Sequence, residues 1–321
     1  MKYKEAGVDI EKADKFKKYI KRLSDKIGGF GGAFELPKGY KEPIIISSVD
    51  GVGTKLKVAV EMGIHNTVGE DIVNHCVNDI LTVGATPLYF MDYIGAGKLN
   101  INQQKEIIDG VAKACKKSGI TLLGGETAEM PGFYNPGEYD LVGFITGIVE
   151  KQNLIDGSNI VVGDKLIGLS SSGLHTNGYS LVRKIIREKG FKLDMYVKEL
   201  GCKLGEELLK VHLSYKDVIL PILCSGTASN IKGLVHITGG GFYGNIPRVL
   251  PEGIGVRIYK KRWVVPPIFK WIQHEGKVDE LEMFQVFNMG IGMIAIVADP
   301  STIDGGWFIG ETIKGTEVQI V

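Results

Sequence analysis

Glycine constrains this chain more than any other residue, because its 44 copies among 321 residues are gathered at a few places. "GGFGG" at 28–32, "DGVGTK" at 50–55, "GGE" at 124–126, "SSSGLHTNG" at 170–178 and "TGGGF" at 238–242 each adjoin a strand-like or helix-like run. A flexible low-complexity chain would scatter its glycine. Clusters set against regular runs are functional loops carried on a rigid scaffold.

Periodicity supplies the scaffold. Residues 12–27, 55–62, 69–83, 103–117, 179–189 and 215–223 read as helices. Residues 44–49, 88–94, 120–123, 141–149, 165–170, 234–237, 255–259, 291–297 and 318–321 read as strands. The turn-rich "NLIDGSNIVVGD" at 153–164 marks a junction, which predicts domains at 1–160 and 161–321. Strands alternating with helices in both halves predict an α/β (α+β) protein.

With 44% hydrophobic and 23% charged residues, the chain can bury an ordinary core without staples. A net charge of +1 argues against a nucleic-acid partner, and the lysines at 12–26, interrupted by Asp14 and Asp25, read as a solvated helix face. Cys76, Cys115, Cys202 and Cys224 show no C-x-x-C spacing and sit in apolar segments, so buried free thiols are expected. No apolar run approaches about 18 residues and no basic-then-apolar leader is seen, so a cytoplasmic protein with no membrane partner is expected.

Three of the glycine clusters and one helix carry chemistry. "DGVGTK" fits neither the Walker loop nor the dinucleotide fingerprint in its spacing. Its parts still suit a phosphate: Asp50 for Mg²⁺, Gly51 and Gly53 for close backbone approach, Thr54 and Lys55 at a helix start. A tight strand-to-helix turn explains the stretch equally. In "GEDIVNHCVNDI" at 69–80, Asp71, His75 and Asn78 share one helix face opposite Cys76 and Ile80. That face is either solvated or the side from which Asp79 reaches the same metal as Asp50. Glu126 follows a strand, where α/β sheets place ligands. Ser172, Gly173, His175, Thr176 and Asn177 precede a helix and form a candidate anion pocket; a structural histidine and a functional one fit His175 alike.

Together, "YKEAGVDIEKAD" at 3–14, "GGFGGAFELP", "DGVGTK", "VND", "GGETAEMPGFY" at 124–134, "SSGLHTNGYSLVRKI" at 171–185 and "TGGGFYGNIPRVLP" at 238–251 resemble the phosphoribosylformylglycinamidine cyclo-ligase (aminoimidazole ribonucleotide synthetase) family. The resemblance implies ATP-dependent ring closure of formylglycinamidine ribonucleotide, with Mg²⁺ and ATP as cofactors. It implies a two-domain ATP-binding synthetase fold, with N-terminal mixed-sheet domains forming a joint barrel across a homodimer beside C-terminal α/β domains. By that resemblance Asp50, Asp79, Glu126 and Asp71 hold the metal. Gly29, Gly31, Gly32, Asp50, Gly51, Gly53, Thr54, Lys55, Gly124, Gly125 and Glu126 hold the nucleotide. Ser172, Gly173, His175, Thr176 and Asn177 face the substrate, and His175, Lys55 and Asp79 are catalytic. The rivals are an amidotransferase of the same superfamily and a silent nucleotide-binding subunit. Two departures stand out: "LLKVHLSYKD" at 208–217 where family members read Pro-Thr, and a shorter C-terminal region, which suggests a trimmed second domain.

Overall fold

A computed structural model describes residues 10–28, 30–225 and 230–321. The first half contains strands β1 (Pro43–Gly51), β2 (Thr86–Ala96), β3 (Thr121–Glu129) and β4 (Tyr139–Glu150). Its helices are α1 (Ile10–Ile20), α2 (Lys55–Met62), α3 (Asn66–Leu81) and α4 (Ile101–Ser118). The sheet order is β1-β4-β2-β3; β2 and β3 are parallel, joined through α4, and the other pairs are antiparallel. Helix α3 lies against β1, β2 and β4 and crosses α4. At the crossing the backbones nearly touch: a Cβ on Gly69 would sit 2.1 Å from the Ile107 carbonyl oxygen, and one on Gly110 2.2 Å from that of Asn66. Only glycine admits that approach. Alternation along β1 turns Ile44 and Ile46 to the core and leaves Ile45 and Val49 exposed, so the other sheet face is open and apolar.

The second half begins with β5 (Lys165–Ser170), α5 (Tyr179–Lys189), β6 (Tyr196–Val197), β7 (Cys202–Lys203), α6 (Leu204–Leu208) and α7 (Lys216–Cys224). It continues with β8 (Ile231–His236), α8 (Gly241–Asn245), β9 (Ile254–Ile258), α9 (Pro267–Gly276), α10 (Glu280–Val286), β10 (Ile291–Val297), β11 (Trp307–Lys314) and β12 (Val318–Ile320). The main sheet runs β12-β9-β11-β5-β10-β8. Strand β10 is buried on both faces, Ile294 and Ile296 toward one core and Met293, Ala295 and Val297 toward a second that includes Ile219 of α7. Helices α5 and α9 pack together over the first of these cores. The second half is therefore three layers thick.

Several sequence expectations need correction. The helix expected over 12–27 ends at Ile20, where Ser24 and Asp25 lie in a run of turns. Strand β3 does not stop at Leu123 but passes through Gly124 and Gly125, so Glu126 lies inside a strand and not at its end. A Cβ on Gly125 would meet Asp92 Oδ1 at 2.5 Å, which explains a glycine there. Strand β11 and helices α9 and α10 were not read from the sequence at all. Cys76 and Cys115 are buried, but Cys202 is half-buried and Cys224 exposed; all four are free. Among the described residues no helix is long and apolar enough to cross a membrane.

Candidate active site

Helix α3 is the seam between the halves. Ile72, Cys76 and Ile80 are buried in the core, and the opposite polar stripe is not solvated. It grips the backbone of segment 210–215. Asn78 Nδ2–H donates to the Leu213 carbonyl at 2.8 Å, and its Oδ1 accepts from the Tyr215 N–H at 2.9 Å. Asn74 donates to the His212 carbonyl at 2.7 Å, and Asp71 Oδ1 accepts from the His212 N–H at 2.8 Å. A loop without ladder partners, buried at His212 and Tyr215, has backbone groups paired by one helix face.

Lys55 belongs to the same seam. Its Nζ donates to the Lys210 carbonyl at 2.7 Å and pairs with Asp71 at 2.8 Å, with neither side chain exposed. Burial pushes the ammonium down and the Asp71 carboxyl up, and the charge of each opposes the shift in the other. Expected at the triphosphate and at the metal, these two residues are engaged with each other instead.

Asp50 and Asp79 do converge. His75, one helical turn before Asp79, bridges them: its Nε2 lies 2.9 Å from Asp50 Oδ2 and 3.9 Å from Asp79 Oδ2. Ser48 Oγ–H donates to Asp79 Oδ2 at 2.9 Å. His236, at the end of β8, places its Nδ1 2.8 Å from Asp79 Oδ1, so the second half contributes too. Burial pushes both carboxyls up, but both end below their usual range. His75 and the Gly51 N–H outweigh burial at Asp50; His236, His75 and Ser48 outweigh it at Asp79. Burial likewise pushes His75 down, and its bond to Asp50 with the nearby acid charges turns the net direction upward. His236 stays lowered by burial despite Asp79.

Behind these groups runs a hydrogen-bonded circuit. His236 Nε2 is 3.0 Å from His212 Nε2, His212 Nδ1 is 3.3 Å from Thr176 Oγ1, and Thr176 Oγ1 is 2.8 Å from His75 Nδ1. His175 stacks on His212 with ring centroids 4.0 Å apart. It is buried, adopts φ +62°, and its Nε2 accepts from the Ser172 and Leu213 N–H groups. Burial holds it well below the ordinary imidazole range, so it is neutral. Ser172 Oγ–H donates to the Val211 carbonyl, and the Gly173 carbonyl accepts from Ser171 and Asn288. Asn177 is half-buried beside Thr176.

The exposed Gly53 and Thr54 open α2, and Thr54 Oγ1 lies 3.0 Å from Ser180 Oγ in the first turn of α5. Two helix N-termini from different halves meet there, and their dipoles favour an anion. Gly31, Gly32, Gly124, Gly125 and Glu126 line a separate hollow of about 440 Å³ on the open sheet face. Gly29 lies outside the described residues. Register separates the two places: Asp50 is opposite Gly143, Gly143 opposite Asp92, and Asp92 opposite Gly125. Three strand spacings amount to ~14 Å. Within one chain Glu126 does not join Asp50 and Asp79.

Sequence reasoning did not assign His75, His212 or His236 to the site. For His212 a signal existed, since it sits in "LLKVHLSYKD", the stretch expected to depart from the resemblance.

Residues 39–149 match the family model described as AIR synthase related protein, N-terminal domain, and residues 161–320 its C-terminal domain. The chain is similar to the phosphoribosylformylglycinamidine cyclo-ligase of Caldanaerobacter subterraneus subsp. tengcongensis, 51% identical over 310 residues, covering 92% of this chain and 90% of that one. It is 52% identical over 306 residues to the protein of the same name from Alkaliphilus metalliredigens, covering 92% and 87%. A crystal structure of hydrogenase maturation protein HypE in complex with ATP shares the fold, with a TM-score of 0.64 at 14% identity over 93% of this chain and 84% of that one.

Proposed function

The chain belongs to the AIR synthase related family, among its phosphoribosylformylglycinamidine cyclo-ligases, and from that premise we propose how its residues close the imidazole ring. The enzyme is a ligase of purine biosynthesis. ATP phosphorylates the formyl oxygen of formylglycinamidine ribonucleotide to an iminophosphate. The amidine nitrogen then attacks the activated carbon and expels phosphate, giving aminoimidazole ribonucleotide and ADP. Such a transfer needs positioning and charge neutralisation more than a protein nucleophile.

The observation that supports this reading is the meeting of Asp50 and Asp79 beside two convergent helix N-termini. Two carboxylates are what a divalent ion carrying nucleotide phosphates requires. They would hold Mg²⁺, which would supply neutralising charge to the phosphate oxygens. Gly51, Gly53 and Thr54 would face those phosphates. Ser172, Gly173, Thr176 and Asn177 would shape the substrate side. His175 Nδ1, buried without a hydrogen-bond partner, is the atom through which this histidine would polarise the substrate oxygen. Lys55 and Asp71 act at one remove, by holding the seam.

The division near residue 160 and a homodimer belong to the same proposal. Closing the open sheet face against a second copy would bury Ile45 and Val49. It would also set the Glu126 hollow at the interface. The test is ADP release with and without formylglycinamidine ribonucleotide, in the absence of glutamine and ammonia. Release only with that substrate is expected; equal release without it, or a need for ammonia, refutes the reading.

A further inference from the structure

We infer that Thr176 is a positioning residue: its hydroxyl aims His75 at Asp50, so that the substrate-side loop of the second half fixes a carboxylate of the nucleotide side. The inference rests on the cyclo-ligase reading, since a fixed Asp50 matters only to the phosphate chemistry proposed there.

Thr176 stands at a crossing of three partners. Its Oγ1 is 2.8 Å from His75 Nδ1 and 3.3 Å from His212 Nδ1, and it accepts from Asn177 Nδ2–H at 3.4 Å. A hydroxyl has one proton to give and two lone pairs to fill. With Asn177 at one lone pair, one imidazole nitrogen donates and the other accepts, and the count closes whichever it is. Valine has the same shape and serves none of the three. Both imidazoles are buried, so neither nitrogen can turn to water instead.

The hydroxyl is therefore spent on protein groups, and Thr176, itself buried, reaches the reaction through a neighbour. That neighbour is His75. A ring held at one nitrogen has its other nitrogen placed, and His75 Nε2 lies 2.9 Å from Asp50 Oδ2. The Gly51 N–H holds the other oxygen, Oδ1, at 2.7 Å, so His75 completes the hold on the carboxylate. With 44% of its side chain exposed, Asp50 has room to rotate without these bonds. The contacts also continue outward. A Cβ on Gly239 would meet Asn177 Oδ1 at 3.2 Å, so the triple-glycine turn lies against the asparagine that bonds Thr176. His75 comes from α3 and Thr176 from the loop before α5, 101 residues on. The aim of Asp50 is thus set by a contact made only where the two halves meet.

Carboxylates that hold a metal are themselves hydrogen-bonded, and loss of such an outer partner costs about 10–100-fold. The measure is steady-state ADP release by the full chain with formylglycinamidine ribonucleotide present. Thr176→Val is expected to lower kcat/KM for ATP by that factor and to leave KM for formylglycinamidine ribonucleotide near the parent's. Thr176→Ser, which keeps the hydroxyl, should recover most of the loss. His75→Ala should lose at least as much as Thr176→Val. Adding Thr176→Val to it should cost nothing further, because a residue that acts through His75 then has nothing to act through. Circular dichroism reports folding; should Thr176→Val not fold, Thr176→Ala takes its place in the cycle. Losses that multiply in the double variant, a serine variant as poor as the valine one, a loss confined to KM for formylglycinamidine ribonucleotide, or an unimpaired Thr176→Val each overturn the inference. If one of these occurs while the parent's ADP release still requires that substrate, the cyclo-ligase reading stands. Release without substrate in the parent refutes that reading by itself, before any variant is compared.

Discussion

Asp79 joins the two halves at a single carboxylate: Ser48 Oγ–H donates to it, His236 Nδ1 lies 2.8 Å away, and His75 faces it. Asp79→Asn keeps the shape and removes the charge. The variant should stay folded yet lose at least about 10²-fold in turnover, the scale of one lost electrostatic contact in a phosphoryl-transfer site. Unimpaired ADP release from the folded variant would remove the metal role. Asp92, under the glycine-lined hollow, is a different case. Burial pushes its carboxyl from 3.8 up to about 7. Between those values the folded chain keeps a proton that the unfolded chain has lost, so stability falls as pH rises through the window. The full cost is present above about pH 7 and, at 1.36 kcal/mol per unit, reaches at most roughly 4 kcal/mol. Asp92→Asn should therefore melt above the parent near pH 8 and alongside it near pH 4. Parallel melting curves at all pH values would contradict this. At this scale Asp50 and Asp79 were legible from their motifs, whereas the pairing of Lys55 with Asp71 was not, because both residue types suit a phosphate site equally well.

Helix α3 shows what an element's pattern reveals. Its period of 3.6 exposed both stripes in the sequence, but not what the polar stripe faces. Asp71, Asn74 and Asn78 suit water as readily as buried backbone, and the chain that meets Asn78 lies 135 residues away. Asn78→Ala would leave the buried Tyr215 N–H unpaired, at about 1–3 kcal/mol, while the Leu213 carbonyl, on an exposed residue, can meet water. Urea unfolding should show a lower midpoint with an unchanged slope. An unchanged midpoint would mean the seam does not depend on that side chain. Gly69→Ala should cost about as much or more, since its methyl meets the Ile107 carbonyl of α4. Strand β3 was cut short in the sequence reading because glycine is depleted from strands. Here Gly125 is kept for the close approach of Asp92.

For the whole molecule, the open face of the first sheet is the feature a single chain leaves unexplained. Ile45 is 48% and Val49 63% exposed on a sheet otherwise buried against α3. Exposed apolar strand faces of this kind mark association surfaces. Ile45→Asp with Val49→Asp should yield a monomer by light scattering, with ADP release reduced alongside. A double variant that still sediments as the parent does would show that this face is not the contact. The α/β order and the places of the loops were determined by the sequence alone, because glycine clusters and hydrophobic period are local properties of the chain, and the family was legible in the resemblance of its motifs. Only the tertiary structure decided which polar groups lie together within one chain: Asp50 and Asp79 with His75 and His236, and Asp71 with Lys55. Whether a polar side chain meets water, a backbone group or an opposite charge depends on which distant segment folds against it, and no local pattern records that.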